Sequence, residues 1–270
     1  LIPYFTIPPL SLGPLDVQSF GILSALGVWL ASWLLVRGAR VRGLDERPVI
    51  GVAIWALAGG LVGAHLVHLL LYHPEELRGS WGVWQLFKFW DGLSSTGGVL
   101  GGTAAVLLYF RLRGVPFSRY SDVFALAIAP GWAVARIGCF SVHDHPGRLT
   151  SFPLAVAFPE GARHDLGLYD ALLLGAITAI LYACARRGLL RGRLLALVAL
   201  LYGIGRFLLD FLRATDLPYV DARYFGLTPA QYVCIGFVVY GVLALWRSRA
   251  TRKSSAGAGE PQQHLDAIGA

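Results

Sequence analysis

Apolar residues in this chain gather into long runs separated by short polar stretches. A helix needs about 20 residues to cross the hydrocarbon core of a bilayer. Seven runs approach that length, at 17–36, 49–72, 93–110, 121–141, 168–185, 194–213 and 228–246. The pattern predicts an all-α integral membrane fold of seven transmembrane helices. The third run is the weakest, because it opens on the glycine-rich stretch GLSSTGGVLGG. Two connecting segments are long, 73–92 and 142–167. The first carries Trp81, Trp84, Phe87, Phe89 and Trp90, which read as an interfacial aromatic belt. Residues 1–247 read as one polytopic membrane domain. The polar, Gly/Ala/Ser-rich residues 248–270 read as a disordered tail.

Composition agrees: 56% of residues are hydrophobic and 14% charged, whereas soluble domains carry about 25% charged residues. The net charge of +7 raises the question of nucleic acid, and its placement answers it. Fifteen Lys and Arg follow the first, third, fifth and seventh runs, against six in the other connections. Such a bias puts the N-terminus outside and the C-terminus in the cytoplasm. The basic balance is spent on topology, so no nucleic-acid partner is expected. The three cysteines, Cys139, Cys184 and Cys234, lie in apolar stretches without a CxxC spacing. A disulfide framework and a zinc site are thereby disfavoured, and no metal or cofactor is expected.

Two further arginines, Arg136 and Arg206, fall inside runs. Counted from the inner ends of their helices they stand about 22 Å and about 18 Å up, at similar depth in the outer half of the bilayer. Each costs at least about 2.5–3.5 kcal/mol there without a partner or a wet cavity. Tyr202, Arg206, Asp210 and Arg213 share one helical stripe. One reading is an Arg206–Asp210 ion pair that only lets the helix insert. The other is a pair of guanidinium forks facing one cavity and gripping a phosphate bidentately, at this depth a phospholipid headgroup. Beyond Arg136 comes His143-Asp144-His145, which offers acid–base chemistry or orientation of a headgroup. His65 and His68 also reach the outer end of their run, as packed or interfacial groups.

The segment ARIGCFSVHDHPG resembles the signature of the prolipoprotein diacylglyceryl transferase family, roughly G-R-x-G-N-F-x-N-x-E-x-x-G. Arg136, Gly138, Phe140 and Gly147 match, and Asp144 stands at the glutamate. The opening Leu1–Phe5 is similar as well. So is the segment from Trp90 to Gly98, with Thr96-Gly97-Gly98 at the family's H-G-G. His164 with Leu168-Tyr169-Asp170 resembles H-P-x-Q-L-Y-E. Tyr202-Gly203, Arg206, Asp210, Arg213 and Asp216 resemble Y-G-x-x-R-x-x-x-E-x-x-R-x-x-D, and Gly226-Leu227-Thr228 with Gln231 resembles the entry to the last span. These landmarks keep family order over nearly the whole chain apart from the tail.

The resemblance implies transfer of diacylglyceryl from phosphatidylglycerol to the lipobox cysteine thiol of a prolipoprotein signal peptide, in a bacterial cytoplasmic (inner) membrane. It implies that Arg136 and Arg206 hold the lipid phosphate, that Asp144 and Asp210 orient them or handle protons, and that Thr96, Gly97, Gly98, Gly147 and Tyr202 line the substrate. The chain departs from the pattern at Thr96 (family histidine), Cys139 (asparagine), His65 (arginine) and Phe20 (tyrosine). With the histidine gone, His143 and His145 are the replacement candidates for the proton acceptor. The alternative is a divergent membrane protein that binds or moves a phospholipid or small anion without thiol transfer.

Overall fold

The computed structural model describes residues 1–13, 15–78, 82–88, 92–217 and 221–257. Two short strands, β2 (Leu10–Leu12) and β3 (Leu15–Val17), form an antiparallel hairpin ahead of the first helix. The helices are α1 (Ser19–Val41), the single turn α2 (Arg47–Ile50), α3 (Val52–Val67), the short α4 (Gly82–Gln85), α5 (Ser95–Leu112), α6 (Ser121–Val142), α7 (Leu166–Arg186), α8 (Leu194–Leu209) and α9 (Pro229–Gly257). A π-helical turn, His68–Tyr72, prolongs α3, and a 3₁₀ turn, Asp210–Leu212, prolongs α8.

Six segments among the described residues are long and apolar enough to cross a membrane: Ser19–Val41, Arg47–Tyr72, Ser121–Val142, Leu166–Arg186, Leu194–Leu212 and Pro229–Arg247. The chain is therefore a multi-pass, mostly helical membrane protein. The seventh expected span corresponds to α5, which is helical from Ser95 but is not among the six. Its Ser, Thr and glycine opening and Arg111 dilute its apolar character.

Small residues decide which helices touch. Gly63 faces α5 so closely that a Cβ there would lie 2.5 Å from the Gly97 carbonyl oxygen and 2.7 Å from Gly101 Cα. A Cβ on Gly27 of α1 would lie 2.4 Å from the Gly131 carbonyl oxygen of α6. Apolar helices in lipid have little hydrophobic reason to pair, so backbone approach of this kind supplies the contact. Gly97 and Gly98, read from the sequence as substrate-lining, sit in the α3–α5 seam, Gly97 against the Gly63 backbone.

The all-α expectation needs one correction. The 142–167 connection folds into strands β4 (Pro146–Leu149), β5 (Val156–Phe158) and β6 (Gly161–Asp165), joined by the N-terminal β1 (Ile2–Pro3). The sheet order is β1-β5-β6-β4, with β1 parallel to β5 and the rest antiparallel. Gly161, at φ +130°, opens β6 directly after the two-residue turn from β5. Strands of two to five residues broken by Pro and Gly carry no readable alternation. Of the expected aromatic belt, Trp84 and Phe87 are exposed, while Trp81, Phe89 and Trp90 lie outside the described residues. The described part of α9 continues to Gly257, and residues 258–270 lie outside it.

Candidate functional site

The two intramembrane arginines meet at one carboxylate. Asp170 stands one turn into α7, whose first turn is capped by Asp165 Oδ1 accepting from the Leu168 N–H at 3.1 Å. Its Oδ2 lies 3.4 Å from Arg136 Nε and 3.3 Å from Arg206 Nε. All three side chains are buried. Arg206 Nη2 also reaches Asp210 Oδ1 at 2.9 Å, so the ion pair anticipated from the helical spacing is present. Asp210 in turn takes Arg213 Nε at 3.1 Å and the Thr228 hydroxyl, and Arg213 Nη1 continues to Asp221 at 2.6 Å. Positive and negative groups thus alternate from the buried end of α8 outward. Because α8 passes into a 3₁₀ turn at Asp210, the four-residue stripe is tightened at its outer end.

Pairing does not exhaust the guanidiniums. Arg206 Nη1 and Asp170 Oδ1 are buried without a hydrogen-bond partner. Arg136 and Arg206 line the same cavity with Thr96 and Tyr202, walled by Trp132 and Phe237. The Trp132 ring packs 4.5 Å from that of Tyr202, and the Arg136 guanidinium lies over Trp132. The cavity has about 30 Å³ of free room, enough for a water or two rather than a headgroup. Anything larger enters only as the walls of α5, α6, α8 and α9 part. Thr96, at the family's histidine position, lends its hydroxyl to Tyr72 Oη at 3.1 Å.

The two histidines of the His-Asp-His run go to different places. His145 pairs through Nδ1 with Asp144. The ligand atoms of Cys139, Asp144 and His145 all lie within 4.8 Å of one another. Cys139 Sγ in turn lies 3.6 Å from Arg136 Nη1. His145 and Asp144 therefore adjoin the arginine site by way of Cys139. The three donors have the composition of a metal cluster, but the guanidinium beside the sulfur opposes a cation there. His143 turns away. It caps α6 in a left-handed conformation, φ +51°, and its Nδ1 bonds Asp165 Oδ2 at 2.6 Å. It lines a separate cavity. Burial pushes the Asp165 carboxyl above its usual range, opposed by its bonds to His143 and Leu168.

Gly147 lies in β4, bridged to Arg213, where a Cβ would meet the Leu212 carbonyl oxygen at 2.6 Å. It holds the sheet against the strand-like entry to Arg213. Next to it Arg163 donates to the Gly147 carbonyl and grips Asp216 with two bonds, 3.0 and 2.7 Å. His65 is buried between the backbones of Gln85 and Gly92, with Nε2 2.7 Å from the Gln85 carbonyl oxygen. The residue that the sequence reading assigned no role is Asp170. A carboxylate inside the run LGLYDALLLG costs as much as the arginines do, and the same depth argument applied to it finds it.

Comparison with known proteins follows this geometry. Residues 9–247 match the family described as prolipoprotein diacylglyceryl transferase. A protein of Chromohalobacter salexigens named phosphatidylglycerol–prolipoprotein diacylglyceryl transferase is 30% identical over 258 residues, covering 92% of this chain and 96% of its own. A protein of the same name from Nitratidesulfovibrio vulgaris is 32% identical over 248 residues, covering 87% and 92%. One from Pseudomonas aeruginosa is 29% identical over 261 residues, covering 92% and 97%.

Proposed function

The chain belongs to the prolipoprotein diacylglyceryl transferase family, and on that premise we propose that it transfers diacylglyceryl from phosphatidylglycerol to the lipobox cysteine of prolipoproteins. The observation that carries this reading is the pair of buried guanidiniums sharing Asp170 on one cavity. Two forks with unspent N–H groups suit a phosphate whose acyl chains stay in lipid.

In the reaction the acceptor sulfur bonds to the glyceryl carbon that carries the phosphate ester. The carbon–oxygen bond to phosphate breaks, and glycerol phosphate leaves with the electron pair. Arg136 and Arg206 stabilise the charge that gathers on the departing phosphate. Thiolate is the competent nucleophile, so the thiol proton needs an acceptor. His145, oriented by Asp144, is that base, since it adjoins Arg136 through Cys139. Asp210 holds Arg206 and Arg213 in register. Thr96, Gly97, Gly98, Tyr202 and Gly147 shape the approach.

The same reading sets the chain in a bacterial cytoplasmic membrane, with α5 as a seventh span beside α3, the N-terminus outside and residues 248–270 as a cytoplasmic tail beyond the domain 1–247. The sheet then lies on the outer face. The test is phosphatidylglycerol labelled in its acyl chains, incubated with the purified protein and a lipobox peptide. A diacylglyceryl mass gain on the peptide cysteine is expected. Movement of phospholipid between vesicles without that gain overturns the transferase reading in favour of a carrier.

A further inference from the structure

A second polar site lies beyond the arginine cavity, around a group the transfer step does not use. His143 is more than nine-tenths buried. Its ring stacks on Tyr4 at 4.9 Å and meets Phe5, Phe140 and Phe158 edge-on at 4.7, 5.3 and 5.3 Å. Its Nδ1 is bound to Asp165, and its Nε2 is buried without a hydrogen-bond partner. The residue also lines a cavity of about 240 Å³ whose other polar walls include Thr6, Gln18 and Ser141. An orphaned ring nitrogen in a boxed histidine is costly to maintain. A ligand that bonds it removes that cost.

The tautomer states which ligand. The two oxygens of Asp165 accept from the Leu168 N–H and from His143 Nδ1. In the neutral imidazole with its proton on Nδ1, Nε2 is an acceptor. It therefore asks for a donor, and the Thr6 hydroxyl and Gln18 amide that also line the cavity suit one that also accepts. We propose that this cavity binds the hydroxyls of a glycerol unit. His143 caps the outer end of α6, seven residues beyond Arg136 and about 10 Å further out along the helix axis, with its side chain in the neighbouring cavity. The headgroup of a lipid whose phosphate is held at Arg136 points toward that level. So does the glycerol phosphate that departs from it. The proposal rests on phosphatidylglycerol being the donor, but its test needs no turnover.

The experiment is competition between phosphatidylglycerol and phosphatidylpropanol for the detergent-solubilised protein, read by native mass spectrometry. Phosphatidylpropanol keeps the phosphate and lacks both headgroup hydroxyls. The wild type is expected to retain phosphatidylglycerol about tenfold better, the worth of one net hydrogen bond. Two variants test the source of that preference. His143→Asn tolerates the left-handed backbone and still donates to Asp165, but has no ring acceptor. Asp165→Asn keeps the α7 cap, yet its single oxygen cannot serve both Leu168 and His143, so the imidazole proton shifts to Nε2. In His143→Asn the ratio should fall toward one, whereas in Asp165→Asn the ligand hydroxyl accepts from the Nε2 proton and most of the preference should remain. A wild type that ignores the headgroup but binds free glycerol phosphate, with that binding lost in His143→Asn, assigns the site to the departing product instead. Equal lipid ratios and equal glycerol phosphate binding in all three proteins overturn the proposal. Failure of the peptide-labelling assay would leave this binding result standing, so the two readings fail separately.

Discussion

Asp170 shows how one residue sets the character of the site. Two buried guanidiniums within reach of a single carboxylate oxygen are held in register without being saturated. Replacing Asp170 by Asn leaves two buried cations with one fewer counter-charge. Breaking a buried pair in this way costs about 3–5 kcal/mol, so Asp170→Asn should lower the melting temperature in detergent sharply, measured against wild type by differential scanning fluorimetry. The proton acceptor is a second residue-scale question. The structure separates His143 from the arginine cavity and leaves His145 next to it through Cys139. A positioned base contributes about 10²–10⁴ in rate. His145→Ala should therefore slow peptide labelling by at least about 100-fold. Thr96 lines the arginine cavity, so adding Thr96→His to His145→Ala should recover part of the loss. The arginines were legible in the sequence because charge in an apolar run is conspicuous. That His143 and His145 part company was not, because it depends on one left-handed residue at the end of α6.

At the scale of elements, the α3–α5 seam controls where Thr96 stands, since Gly97 follows it directly and abuts Gly63. A side chain at Gly63 has no room on the Gly97 and Gly101 backbones. Gly63→Val should force the helices apart at about 1–3 kcal/mol, seen as a lower melting temperature. The outer sheet is tied to the segment after α8 by Arg163 and Asp216. The guanidinium holds the Asp216 carboxyl below its usual range. A depressed carboxylate stabilises the fold above its unfolded value of about 3.9, and that contribution fades as the pH falls through the folded value. Asp216→Asn should thus melt earlier than wild type at pH 6, with the gap closing below about pH 4. Helix runs were readable from hydropathy because each is long. The sheet escaped because its strands are short, and its pairing of Ile2 with Val156 joins residues remote in sequence. No local pattern encodes such a contact.

At the scale of the whole molecule, two physical biases point the same way. The connections rich in arginine, after α1, α5 and α7, gather at one end of the bundle. There Tyr120 donates to the Asp45 carbonyl, and Asp122 accepts from the Leu194 N–H at 2.9 Å. The sheet, the Arg163–Asp216 clamp and the His143 cavity gather at the other. That segregation requires α5 to run the full length beside α3, from the Gly97–Gly63 contact to Tyr109 at Gly51. An even number of crossings would put the two ends of the chain on one side, whereas α5 as a crossing separates them. On the proposed topology the positive bias keeps the arginine-rich end inside. Reporter fusions or cysteine labelling at Gly43 and Ser255 should report the cytoplasm, and at Ser80 and Thr150 the outside. A cytoplasmic signal at Thr150 would put the sheet, and with it the approach to Arg136, on the wrong face for a secreted acceptor and would overturn this topology. A cytoplasmic signal at Ser80 would overturn it as well.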